Sequence, residues 1–251
     1  MPAATVLFLA EASTRKPLSQ LIRPLGISLL SFRPAGYTFP VTFRRTGTDR
    51  AVLRQMLLTQ EYGPAAALSD VRLIVDCGAN IRVSGYYFLH RYPAARLVAV
   101  EPDAQNCALC RRNLSPFGDR AIVLQAALWP ECRPLRIVPA SRALGAWRLR
   151  VEPADAESAD VEGLTIPEIL RRAGAAPPID LLKIDIEGSE TELFRRTPEA
   201  LGLARNIAIE LHGPDAEAAF SDALRPYHYD RREADELTII YGLKRVDPAP
   251  P

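Results

Sequence analysis

Residues 71–80 read Val71-Arg72-Leu73-Ile74-Val75-Asp76-Cys77-Gly78-Ala79-Asn80. An apolar run ends in an acid and then breaks into a glycine-centred turn. That pattern predicts a buried parallel strand whose carboxyl end turns backbone amides toward a small anionic or zwitterionic ligand. A second apolar run, Arg96-Leu97-Val98-Ala99-Val100, ends in Glu101. A carboxylate at that point can accept hydrogen bonds from both hydroxyls of a ribose, so the two strand ends together point to a nucleoside cofactor.

Outward from this stretch the chain alternates. A helix is predicted over 82–91, stopped by Tyr92-Pro93, then a helix over 103–114 and a strand over 122–125. The alternation resumes later with a strand over 179–186, a helix over 189–196, a strand over 206–211 and a helix over 216–224. Strands over 227–231 and 237–241 close the chain. Such alternation predicts an α/β fold, a mostly parallel sheet with helices on both faces.

Residues 130–160 interrupt the rhythm. Strands over 135–138 and 147–151 read as an inserted hairpin or meander, followed by an acidic loop over 152–160. Thr165 then reads as a helix cap with Glu168 at the capping-box position. Upstream, residues 1–35 are rich in Pro, Arg and Ser and read as irregular. Tyr37 to Arg45 reads as a strand, and Thr48-Asp49 as the cap of a helix over 50–60 that Gly63-Pro64 ends. The expected organisation is an N-terminal extension over 1–65 packed on a main domain over 66–251, with a substrate-side insertion near 130–160.

Composition excludes several classes. The 251 residues carry 48% apolar and 24% charged side chains and a net charge of +1, an ordinary globular balance without a basic surface for nucleic acid or membrane. Lysine is confined to Lys16, Lys183 and Lys244, a bias that fits a GC-rich genome. Four cysteines make no disulfide framework, and Cys107 and Cys110 fall inside a helical pattern with no second pair nearby. The apolar patch from Val6 to Ala10 has no basic residues before it and is too short to span a bilayer. A cytoplasmic protein is expected.

The first loop holds only Gly78 and the later Gly85, not the GxGxxG of a pyrophosphate cradle, which argues against a dehydrogenase. One glycine suits a cofactor without phosphates, such as S-adenosylmethionine, bound over Asp76, Gly78, Ala79 and Asn80. Glu101 is assigned to its ribose, with Asp103 better placed to cap the next helix. The small residues of Gln125-Ala126-Ala127-Leu128 leave room for an adenine ring. In Lys183-Ile184-Asp185-Ile186-Glu187-Gly188-Ser189-Glu190, Asp185 ends a strand, and Lys183 alternates with it as a candidate partner for a carboxylate. Strand periodicity puts Glu210 and His212 on one face. His212, one of three histidines with His90 and His228, is the candidate general base. His90 reads as a helix C-terminal cap.

These segments resemble the FkbM-type methyltransferases, a branch of the S-adenosylmethionine-dependent Rossmann-like methyltransferases. The resemblance rests on Arg44 to Tyr62 with Thr48-Asp49, Val75 to Ile81, Ala99 to Asp103 with Asn106, Leu109 and Asn113, Asp180 to Glu190, and Glu210 to Gly213. It covers roughly residues 40–215. It implies a seven-stranded, mostly parallel sheet in the order 3-2-1-4-5-7-6, with O-methylation of a hydroxyl on a small molecule, often a sugar or secondary metabolite. It implies cofactor contacts from Asp76, Gly78, Ala79, Asn80, Arg82, Glu101, Pro102, Ala127 and Asp185. Asp185, Glu187, Glu210 and His212 then form the catalytic wall.

The family pattern has glycine where this chain has Arg82. That raises an alternative, a cofactor-impaired binding or scaffold protein with Arg82 in the methionine site. A divalent metal is compatible with the converging acids and histidine, though no ligand spacing establishes one. The expected partner is a small-molecule hydroxyl acceptor shaped by residues 130–160, with Trp147 or Tyr37 packing on a ring. No nucleic acid or membrane is expected, and a homodimer is left open.

Overall fold

In chain order the first elements are a hairpin, β1 (Leu29–Phe32) paired antiparallel with β2 (Val41–Arg44). They belong to a computed structural model that describes residues 29–45, 49–54, 62–81, 83–139 and 149–246. Helix α1 (Asp49–Arg54) follows, then β3 (Leu73–Cys77), α2 (Val83–Arg91), β4 (Arg96–Val100), α3 (Ala104–Leu114) and β5 (Ala121–Leu124). The insertion comprises β6 (Ala127–Leu128), β7 (Arg133–Pro139), β8 (Leu149–Pro153) and β9 (Val161–Leu164). The chain continues through α4 (Ile166–Arg172), β10 (Leu181–Ile184), α5 (Glu190–Arg196), β11 (Ile207–Glu210) and α6 (Pro214–Leu224), then ends on β12 (Tyr227–Ala234) and β13 (Leu237–Arg245).

Seven strands form the main sheet in the order β12-β13-β11-β10-β3-β4-β5. Counted from β3 along the chain, that is 3-2-1-4-5-7-6. The pairs from β11 through β5 are parallel, and β13 runs antiparallel to both β11 and β12. Alternate residues of the central strands feed two cores, because side chains on a strand point to opposite faces. Val75, Cys77, Val98, Leu182 and Ile184 pack with Ile169, Phe194 and Phe220 of α4, α5 and α6. Ile74, Leu97, Ala99 and Leu181 pack with Phe88, Cys110 and Leu114 of α2 and α3, and with Val41 and Phe43 of β2. Both faces of the sheet are therefore buried, which is why the central strands read as unbroken apolar runs.

One buried side chain makes three hydrogen bonds between the N-terminal hairpin and this frame. Asn113 Oδ1 accepts from the Thr42 N–H at 2.7 Å, while its Nδ2 donates to the carbonyls of Thr42 and Ile81, each at 2.9 Å. The buried amide thus joins β2, α3 and the loop after β3. Asp103 caps α3 as expected, accepting from the Asn106 N–H at 2.8 Å.

Several boundaries differ from the sequence reading. Residues 29–32 form β1 where irregular chain was expected, because their apolar side chains pack beside the second core. The strand expected over 37–45 is confined to Val41–Arg44; Pro34 and Gly36 turn the chain before it, with the Tyr37 N–H donating to the Pro34 carbonyl. The inserted hairpin becomes a four-stranded sheet in the order β6-β9-β7-β8. Its strand β9 was missed because Gly163 weakens the pattern. The glycine is needed there, since a Cβ would lie 2.8 Å from Leu135 Cδ1 and 2.9 Å from Trp129 Cβ. Thr165 Oγ1 accepts from the Glu168 N–H at 3.3 Å, but the Glu168 carboxylate turns to Arg171 and Arg172 and not back to Thr165. The expected cap Thr48, the helix beyond residue 54 as far as Gln60, Arg82 and Trp147 lie outside the described residues. Among the described residues, no helix is long and apolar enough to cross a membrane.

Candidate functional site

The loop after β3 is built by contact with two neighbouring strand ends. Gly78 has a φ of +76°, and a Cβ on it would lie 1.6 Å from the Asp185 carbonyl oxygen. The Asp185 N–H donates to the Cys77 carbonyl at 3.0 Å. The glycine is therefore required by the close approach of two backbones. The N–H groups of Gly78 and Ala79 both donate to the Val100 carbonyl, at 3.0 and 3.1 Å. That of Asn80 donates to Glu101 Oε2 at 2.7 Å. The expectation that these amides face a ligand is not met, because the end of β4 takes all three. Asp76 is fully buried beneath the loop, accepting from Ser84 Oγ at 2.6 Å and lying 3.5 Å from Lys183 Nζ.

A cavity of about 510 Å³ opens at the carboxyl ends of the central strands, in the usual size range of a cofactor pocket. Gly78 and Asn80 line it from the first loop, Glu101, Pro102 and Asp103 from the second, and Ala126, Ala127 and Leu128 from the third. Asp185, Ile186 and Glu187 line it after β10, and Leu149 and Val151 of β8 add apolar lining. Of the expected cofactor contacts, Gly78, Asn80, Glu101, Pro102, Ala127 and Asp185 reach the cavity. Ala79 packs in the second core and Asp76 lies below.

Glu101 is held from several sides. Its Oε1 accepts from the Asp103 N–H at 3.0 Å and from Asn106 Nδ2 at 3.4 Å. Asn106 Oδ1 in turn accepts from Arg44 Nη2 at 2.7 Å, and Arg44 forks onto Asp49 with Nη2 2.7 Å from Oδ1 and Nε 3.0 Å from Oδ2. Hydrogen bonding to Asp49 raises the Arg44 pKa further. Arg44, Asp49 and Asn106 all line the cavity. Sequence reasoning gave none of them a site role. The signal available was Asp49 following Arg44 closely enough for a bidentate fork.

The second wall centres on His212, at the turn where β11 gives way to α6. Its Nδ1 lies 3.0 Å from Glu190 Oε1, an oxygen that also accepts from the Ile186 N–H at 3.2 Å. Its Nε2 lies 3.1 Å from Glu210 Oε1 and 3.5 Å from Glu187 Oε2. The four expected residues Asp185, Glu187, Glu210 and His212 are thus brought together, and Glu190 is a fifth member read from sequence only as part of a helix start. Burial opposes charge on the ring, but the carboxylates of Glu190 and Glu210 outweigh it and push the pKa up to about 10. The ring expected as the general base is thus held between carboxylates that favour its protonated form.

Lys183 behaves as the strand alternation implied. Its buried Nζ donates to the Gly78 carbonyl at 3.0 Å and to Asp185 Oδ2 at 3.2 Å. Burial works to lower its pKa, and the charges of Asp185 and Asp76 overcome this and keep it well above the ordinary lysine value. Asp185 is raised, first by burial and further by Glu210, against the opposing pull of Lys183. Asp185, Glu187 and His212 each offer a ligand atom within 4.8 Å of the others, close enough to hold one metal ion.

A family model described as the methyltransferase FkbM domain matches residues 76–234. The methyltransferase sdnD of Sordaria araneosa is 28% identical over 227 residues, covering 75% of this chain and 88% of that protein. Among solved structures, a putative methyltransferase, yhhF of Escherichia coli, is similar with 15% identity, 87% of this chain and 100% of that chain covered, and a TM-score of 0.44. The M. capricolum TrmK complex with S-adenosylhomocysteine is similar with 13% identity over 76% of this chain and 71% of that chain, at a TM-score of 0.42.

Proposed function

The chain belongs to the methyltransferase FkbM domain family, and on that premise we propose that it moves the methyl group of S-adenosylmethionine onto a hydroxyl of a small molecule. The observation that carries this reading is the cavity of about 510 Å³ lined by a held carboxylate, Glu101, and by the acids Asp185 and Glu187. Glu101 accepts from the ribose hydroxyls, and the adenine lies against Ala126, Ala127 and Leu128. The sulfonium then points toward the strand end that carries Asp185 and Glu187.

The acceptor enters beside Leu149, Val151 and Ile186, which suit an apolar body next to the reacting hydroxyl. Its oxygen lone pair attacks the methyl carbon. The carbon–sulfur bond breaks with its electron pair going to sulfur, and the hydroxyl proton passes to the carboxylates grouped around His212. Positioning of the two reactants supplies most of the rate, with a proton acceptor adding to it. Calorimetric titration with S-adenosylmethionine tests the reading. One binding site is expected, lost in Glu101→Ala. No heat at millimolar cofactor in the unaltered chain sinks the proposal.

A further inference from the structure

We infer that Asp185, Glu187 and His212 form the binding site of one divalent cation of the magnesium or manganese kind, placed at the acceptor end of the cavity. The inference rests on the methyltransferase reading for its role and on the wall's own geometry for its existence. Three observations carry it. First, the three side chains come from two neighbouring strand ends, β10 and β11, and put their ligand atoms within 4.8 Å of one another. Two carboxylates and one imidazole make a mostly oxygen donor set, the kind that takes hard divalent cations.

Second, the His212 side chain is only 10% exposed, and no hydrogen bond closes on its Nε2, although Glu210 and Glu187 stand 3.1 and 3.5 Å away. A buried ring nitrogen aimed among carboxylates without a hydrogen bond is an atom placed for another partner. Third, Nδ1 is engaged by Glu190, whose carboxylate is itself fixed by the Ile186 N–H. A metal-bound imidazole commonly has its other nitrogen held by a carboxylate in this way, which fixes the ring orientation and aims the free nitrogen at the ion. Charge agrees: five carboxylates, Asp76, Asp185, Glu187, Glu190 and Glu210, surround the Lys183 ammonium and the His212 ring, whose Nε2 proton a bound cation displaces.

Asp185 and Glu187 line the cavity, so the ion's remaining positions face the space where the acceptor sits. An acceptor hydroxyl bound there is acidified by the cation. Its proton passes to Glu210, its oxygen attacks the methyl carbon, and the carbon–sulfur electron pair leaves on S-adenosylhomocysteine. The ion balances charge and orients the oxygen, and no oxidation occurs.

The test uses the full chain stripped with a chelator. Manganese(II) is titrated in and the free ion followed by electron paramagnetic resonance, for the unaltered chain and for Asp185→Asn, Glu187→Gln and His212→Gln. S-adenosylhomocysteine binding is measured in parallel by calorimetry with chelator present. One manganese per chain is expected, bound about tenfold or more weakly in each variant, while S-adenosylhomocysteine still binds the stripped chain. No saturable manganese binding, or affinity unchanged in the variants, overturns the cation site while leaving the cofactor reading standing. Failure of S-adenosylhomocysteine to bind overturns that reading instead. Should His212→Gln fail to fold by circular dichroism, the half-buried Glu187→Gln decides the question alone.

Discussion

Gly78 and Asp185 meet backbone to backbone: a Cβ on the glycine would lie 1.6 Å from the aspartate carbonyl oxygen. The loop that borders the cofactor cavity and the strand end that carries the acid wall are therefore one joint. Lys183 locks it from below, donating to the Gly78 carbonyl and the Asp185 carboxylate.

Gly78→Ala must push these two backbones apart, and it also forces a side chain onto a φ of +76°. The cost is expected to be on the order of 4 kcal/mol, in the range reserved for named steric faults. Urea unfolding measures it, and a loss below about 1 kcal/mol contradicts the joint.

Lys183→Met removes the cation shared by Asp76 and Asp185 while keeping the length of the side chain. The buried Asp76 and the partly exposed Asp185 are left without it, and breaking a buried pair typically costs about 3–5 kcal/mol. A markedly lower unfolding midpoint is expected. A midpoint equal to that of the unaltered chain shows that the ammonium is not what holds those acids.

Asn106→Ala cuts the connection from Arg44 to Glu101 without touching the core. Hydrogen bonds of this kind contribute about 1–1.5 kcal/mol each, so cofactor affinity is expected to fall roughly tenfold with little change in unfolding. Equal affinity for S-adenosylhomocysteine by calorimetry dismisses the positioning chain.

His90 gives a pH dependence. Its Nε2 accepts from the Thr38 N–H at 3.0 Å and its Nδ1 lies 2.8 Å from the Tyr86 carbonyl, an arrangement that needs the neutral ring. Burial lowers its pKa below 6.5, and Arg120 adds to this against the Tyr86 carbonyl. The folded state thus binds its proton less readily than the unfolded chain. The stability this provides is present above the ordinary histidine pKa and is lost as pH falls through the lowered one. Denaturant unfolding from neutral pH to about pH 5 is expected to weaken more in the unaltered chain than in His90→Gln. Parallel curves refute the assignment.

The sheet was legible because β3 and β4 are buried on both faces and appear as apolar runs closed by an acid, and β10 differs only by the buried Lys183 before its closing acid. The acid wall was legible for a related reason: Asp185, Glu187, Glu210 and His212 all fall just at or beyond strand ends. Glu190 was not, since an acid one residue past a serine looks like ordinary helix-start charge until the fold brings His212 beside it. Arg44 and Asn106 were missed because their link spans the hairpin and α3, which are far apart in sequence and meet only in the fold. The meaning of Gly78 also changed. Its single glycine was read as room for a cofactor, whereas the structure uses it for the Asp185 backbone. The raised pKa of His212 comes from Glu190 and Glu210, two carboxylates on different elements, which spacing along the chain cannot supply.

A crystal structure of the chain with S-adenosylhomocysteine tests the account of the cavity. The ribose hydroxyls are expected within hydrogen-bond distance of the Glu101 carboxylate, with the sulfur facing Asp185 and Glu187. An adenosyl group seated elsewhere, or a ribose turned away from Glu101, contradicts it.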